Sequence, residues 1–104
     1  MILSRLEQLQ KFLDEDPDDP FNWYALALEY QKTDRLKALD IYEKLLKDNP
    51  TYIPTYYQAA DLYQVNGKTK VAIETYEVGI KQALLQNDRK AAGELQSALD
   101  ELMF

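Results

Sequence analysis

The middle of this chain repeats itself. Trp23, Leu26, Ala27 and Tyr30 are matched 33 residues later by Tyr56, Ala59, Ala60 and Tyr63, while Ala38 and Tyr42 are matched 34 residues later by Ala72 and Tyr76. One extra residue is therefore expected in the internal turn of the second copy. Pro17 and Pro50, each six residues before Trp23 and Tyr56, extend the correspondence to the flanks. A period of this length confines a chain to stacked supersecondary units, none of which can bury its apolar face alone.

The residues inside each copy specify helices. Trp23, Leu26, Ala27 and Tyr30 fall at i, i+3, i+4 and i+7, one stripe of an α-helix. Asp19 before Pro20 suits an N-cap followed by proline in the first helical position. A second helix, from about Leu36 to Asp48, places Ala38, Leu39, Tyr42, Leu45 and Leu46 on its inner face and stops before Asn49-Pro50. Ala27 and Ala60 leave room at the helix crossings for Tyr42 and Tyr76. The second hairpin starts near Pro54, breaks at Asn66-Gly67 and resumes from Thr69 to about Gln86, with Ala72, Ile73, Tyr76, Ile80, Ala83 and Leu84 inward. Ahead of the copies, Leu6, Leu9, Phe12 and Leu13 form a further stripe. Behind them, Ala92, Leu95, Leu99 and Leu102 make a narrow seam with Glu94, Gln96, Asp100 and Glu101 outside it, the pattern of a capping helix.

The spacing W-x2-L-A-x2-Y, then A-x3-Y, then P resembles the tetratricopeptide repeat, a helix-turn-helix unit. Residues 20–50 match well. Residues 53–84 match more loosely, with Gly79 where alanine is usual and Leu84 where proline is usual. The expected fold is all-α, a superhelix of about six helices in antiparallel hairpins. A single domain over 1–104 is expected, with a half-repeat helix at 1–16, repeats at 20–50 and 53–86, and a capping helix at 88–104.

Composition closes off other classes of function. No cysteine and no histidine occur in the 104 residues, so thiol chemistry, imidazole catalysis, a Ser-His-Asp triad and the usual zinc ligand sets are excluded within this chain. Eighteen acids against twelve bases give a net charge of -6, which repels nucleic acid and anionic lipid. Neither partner is expected. Met1 to Glu7 lacks the basic start and unbroken apolar stretch of a secretory signal, and no apolar run reaches membrane-spanning length, so a cytoplasmic protein is expected.

Three weaker signals resolve to ordinary structure. Asp14-Glu15-Asp16, Pro17 and Asp18-Asp19 place five acids in six positions, but without the alternating ligands and turn glycine of a calcium loop; a solvated loop that caps the next helix is expected. Glu74 with Glu77, or Asp100 with Glu101, could pair as acid and base, yet nothing sets either pair in an apolar pocket. Gly67-Lys68-Thr69 lacks the earlier glycine of a phosphate loop, Tyr63 standing there. No enzyme activity, cofactor or metal is expected.

The resemblance implies a groove, lined by the first helices of the repeats, that binds a peptide or partner helix. The residues beside the buried stripe are Phe21, Tyr24, Leu28, Gln31 and Lys32 in the first repeat and Pro54, Tyr57, Asp61, Gln64 and Val65 in the second. Of these, Phe21, Tyr24, Leu28, Gln31, Lys32, Tyr57, Asp61 and Gln64 are the expected binding residues of a non-catalytic adaptor or scaffold. The lysine and asparagine clamp with which some relatives grip a chaperone's terminal carboxylate is missing, Tyr24, Leu28, Tyr57 and Asp61 occupying its positions. The alternative is a structural unit that forms a homodimer through the exposed aromatic face or the Leu95/Leu99/Leu102 seam. Charge is uneven: -4 over residues 1–19, zero over 20–50 and -2 over 51–104, so a basic partner would be steered to the N-terminal end.

Overall fold

A computed structural model describes residues 3–104; Met1 and Ile2, the first two positions of the expected 1–16 half-repeat, lie outside the described residues. Among the described residues there are six helices and no strand: α1 Arg5–Glu15, α2 Pro20–Gln31, α3 Arg35–Asp48, α4 Pro54–Val65, α5 Thr69–Leu85 and α6 Arg89–Met103. The all-α expectation holds. The chain forms two compact units, the first ending at Asn49 and the second running from Pro50 to Phe104.

In the first unit, α2 packs on both α1 and α3. Its entrance follows from the sequence: Asp19 accepts a hydrogen bond from the Phe21 amide at 2.9 Å, and Pro20 occupies the first turn. Asp34 caps α3 in the same way, accepting from the Lys37 amide at 3.1 Å. Ser4 and Glu7 form a reciprocal capping box at the start of α1. Leu26, Ala27, Ala38, Leu39, Ile41, Tyr42 and Leu45 are buried, joined by Leu9 and Leu13 from α1. Phe12 departs from expectation, being 48% exposed. Leu9 and Leu13, four residues apart, carry the buried line of α1, and Phe12 lies off it.

In the second unit, α5 packs on both α4 and α6. Tyr56, Ala59, Ala60, Leu62 and Tyr63 of α4 are buried with Ala72, Tyr76, Gly79 and Ala83 of α5 and Ala92, Leu95 and Leu99 of α6. Leu84 is 58% exposed, contrary to its expected inward place; Ala83 takes the buried position in the last turn of α5.

The extra residue of the second copy is not in the connector, which is three residues long in both hairpins. Instead α4 runs two residues beyond Tyr63, whereas α2 runs one beyond Tyr30. Turn chemistry accounts for the difference. Gly67 adopts φ 79°, and a Schellman pair closes α4: the Lys68 amide donates to the Tyr63 carbonyl at 2.8 Å and the Gly67 amide to Gln64 at 2.9 Å. Asn87, at φ 57°, closes α5 with the same pair of bonds. The α2 turn has no left-handed residue; the Thr33 and Asp34 amides both donate to the Tyr30 carbonyl, and the helix ends a residue sooner.

Candidate interaction site

Each unit presents its own groove. In the first, the stripe Leu26, Ala27 and Tyr42 lies at the α2–α3 contact, which turns the neighbouring positions of α2 outward. Phe21 is 58% exposed and Leu28 36%, and both line an open hollow of about 380 Å³ with Arg5 and Leu9 of α1, Ala25 and Glu29 of α2, and Lys32 just past its end. Apolar Leu9, Phe21, Ala25 and Leu28 share the lining with charged Arg5, Glu29 and Lys32. Lys32 at the rim pairs with Glu29 at 3.0 Å, an exposed contact of small energetic weight.

Two expected residues of α2 have a structural share. Tyr24 is half-buried with its ring centroid 6.1 Å from that of Tyr42, and Gln31 accepts a hydrogen bond from the Tyr42 hydroxyl at 2.7 Å. Burial pushes the Tyr42 hydroxyl above its ordinary range, with Tyr24 adding to the rise. These two side chains therefore support the core.

In the second unit, Tyr57 is 45% exposed and lines another hollow of about 380 Å³, whose other walls are Glu94, Ser97, Ala98 and Glu101 of α6. The Tyr57 ring stands edge-on to Tyr76, centroids 6.2 Å apart and planes at 75°. Asp61, one turn further along α4, is half-buried; Gln64, Pro54 and Val65 are exposed and stand outside this lining. Burial pushes the Tyr76 hydroxyl up to about 12, and the charges of Asp61 and Glu101 contribute to that rise. Asp61 and Glu101 are thus both within electrostatic reach of the same phenol.

Sequence reasoning missed the α6 wall. Glu94, Ser97, Ala98 and Glu101 follow i, i+3, i+4 and i+7, a face adjacent to the buried seam, and that spacing was the available signal. Arg5, Leu9, Ala25 and Glu29 of the first groove were also unassigned.

A third hollow, about 240 Å³, is lined by Pro17, Asp18, Trp23, Lys44, Leu45, Asp48 and Asn49. It is occupied by its own contacts: the Lys44 ammonium lies 5.1 Å from the Trp23 ring centroid and 2.7 Å from an Asp48 carboxylate oxygen. That hydrogen bond holds the Asp48 carboxyl below the usual range. In the acidic loop, Asp19 caps α2, Asp14 accepts from Gln10 at 3.0 Å, and the Asp16 carbonyl accepts from Asn22 at 3.1 Å. Among the described residues, no helix is long and apolar enough to cross a membrane.

No family model and no curated protein sequence matches the chain. Solved structures do. A tetratricopeptide repeat domain protein from Salinibacter ruber, determined in solution, is 41% identical over 84% of this chain and 89% of that one, with a TM-score of 0.79. A crystal structure of a tetratricopeptide repeat domain protein from the same organism is 40% identical over 82% and 97%, with a TM-score of 0.78. A protein from Bordetella parapertussis shares the fold at a TM-score of 0.81 and 23% identity, over 98% of this chain and 90% of that one.

Proposed function

Since this chain belongs to the tetratricopeptide-repeat family, we propose that it is a non-catalytic adaptor or scaffold that binds a peptide or partner helix through the outward faces of α2 and α4. The proposed contact residues are Phe21, Tyr24, Leu28, Gln31, Lys32, Tyr57, Asp61 and Gln64. The observation that carries this reading is the exposure of large apolar and aromatic side chains beside the buried stripe of each helix: Phe21 at 58%, Leu28 at 36% and Tyr57 at 45%, each lining a hollow. Rigid amphipathic rings and exposed apolar side chains suit recognition of a partner at low entropic cost. The expected single domain over 1–104 and a cytoplasmic setting belong to the same proposal.

The competing reading is a homodimer through the exposed aromatic face or the Leu95/Leu99/Leu102 seam, and the seam is the less favoured of these two surfaces. Leu95 and Leu99 are 3% and 6% exposed, already covered within the described chain. The aromatic face, with Phe21 and Tyr57 exposed, is the surface left for a dimer.

Selection of a random peptide library against the full chain tests the proposal. Binders of roughly micromolar affinity, about -8 kcal/mol, are expected, and a Phe21→Ser, Tyr57→Ala double variant with unchanged circular dichroism should lose them about tenfold or more. A folded double variant that retains the same peptides at the same affinity would sink the site assignment. A library that yields no binder would remove the peptide reading itself.

A further inference from the structure

We propose that the groove between α4 and α6 receives the side chain of a lysine or arginine carried by a partner protein. This rests on the interaction reading above and gives one of its surfaces a ligand chemistry. The groove joins an aromatic ring to an acidic wall. Tyr57, 45% exposed and packed at 75° against the buried ring of Tyr76, supplies an aromatic wall, and Glu94 and Glu101 stand seven residues apart on the exposed side of α6. Ser97 and Ala98 between them are small, which leaves the hollow of about 380 Å³ open.

The charge in this groove is not neutralised from within. None of its lining residues is basic, and among the described residues neither Glu94, Glu101 nor the adjacent Asp61 takes part in an ion pair. An acidic peptide would be repelled, and an uncharged one would leave the carboxylates uncompensated as water is displaced. Nor is the arrangement that of a metal site: among the described residues no three acidic side chains come close enough to share an ion. Carboxylates spread along a helix beside an aromatic ring match a long side chain with a cationic end, whose methylenes lie on the ring while the charge reaches the acids. The first unit contains a filled example of this constellation, with Lys44 over the Trp23 ring and bonded to Asp48.

The test follows amide shifts of the isotope-labelled full chain during titration with three short capped peptides: alternating Ala–Lys, Ala–Gln and Ala–Glu. The lysine peptide is expected to shift Tyr57, Ser97 and Ala98 saturably, to bind about tenfold more tightly than the glutamine peptide, and to weaken as salt rises. The glutamate peptide is expected not to shift these residues. A Glu94→Gln, Glu101→Gln variant should lose about tenfold in lysine-peptide affinity and most of its salt dependence. The salt titration of the unaltered chain tests the same point without relying on the variant.

Equal binding of the lysine and glutamine peptides overturns the inference, as does lysine-peptide binding that the double variant leaves unchanged. Lysine-peptide shifts confined to the α1–α2 groove, or no shifts at all, overturn it too. Each of those results leaves the broader interaction reading standing, because library peptides without Lys or Arg would still be captured; only an empty library selection removes both.

Discussion

Trp23 and Tyr56 each fasten the proline loop that precedes their helix. The Trp23 indole N–H donates to the Pro17 carbonyl at 2.7 Å, and the Tyr56 hydroxyl donates to the Pro50 carbonyl at 2.6 Å, each six residues upstream. Indole and phenol differ, but each places a donor at the end of a long flat side chain and so fastens the preceding loop to the first helix of a repeat. Thr55 is the opposite case. It is fully buried, and its hydroxyl oxygen has no hydrogen-bond partner. A buried polar group left unpaired is a net cost, and valine has nearly the same shape. Thr55→Val is expected to raise stability by about 1 kcal/mol, read as a higher denaturant midpoint with unchanged slope; a loss of stability would mean that the hydroxyl is satisfied.

At the level of helices, the departure from the repeat pattern at Gly79 has a steric cause. A Cβ placed there would lie 2.7 Å from Tyr56 Cβ, 2.8 Å from Tyr56 Cγ and 3.2 Å from Leu95 Cδ1. The usual alanine does not fit, because three helices converge on this point and the close neighbour is the rigid base of a tyrosine rather than a movable tip. Gly93, in α6, has nothing within 4 Å of the same construction. The two glycines should therefore respond oppositely to one substitution. Gly93→Ala is expected to stabilise by about 0.5–1 kcal/mol through helix propensity alone, whereas Gly79→Ala is expected to destabilise by about 1–3 kcal/mol through overpacking. Thermal midpoints measured side by side check the pair, and a stabilising Gly79→Ala would contradict the close packing of α4, α5 and α6. The turns were partly legible beforehand. Asn66-Gly67 announced a stop, but that Asn87 would adopt the same left-handed role was not visible from residue type alone, since asparagine tolerates both conformations.

For the molecule as a whole, eight tyrosines and no histidine shift the pH response to the alkaline side. Burial raises the hydroxyls of Tyr42, Tyr56 and Tyr76, the last to about 12 from an ordinary value of 10.0. The folded state therefore holds these protons more tightly than the unfolded chain, and their contribution is complete below pH 10. It is lost as pH rises from 10 towards about 12 for Tyr76. The unfolding temperature is expected to fall through this window, with part of the phenolate absorbance appearing only as the chain unfolds; ionisation of all eight tyrosines near pH 10 in the still-folded protein would contradict it. The net charge of -6 is also uneven within the second unit, where Glu94 and Glu101 face one groove. Summed charge over residues 51–104 is only -2, so totals by segment pointed to the N-terminal end and passed over this concentration.

Local periodicity was enough to place six helices, the Asp19 cap of α2, the Asn66-Gly67 stop of α4, and the buried pairs Leu26/Ala27 of α2 and Ala59/Ala60 of α4, because a helix declares its buried side within a few residues of sequence. It was also enough to mark Phe21, Leu28 and Tyr57 as positions beside that stripe, and these remain exposed. What it could not supply was the company those side chains keep. Tyr57 meets Glu94 and Glu101 across more than thirty-five residues of chain, Phe21 meets Arg5 across the turn between α1 and α2, and Gly79 meets Tyr56 at a three-helix junction. Such neighbours depend on how far each helix turns about its axis and how closely the next can approach, quantities that arise from packing and have no local period. Tertiary structure alone thus turned an exposed tyrosine into one wall of an acidic groove.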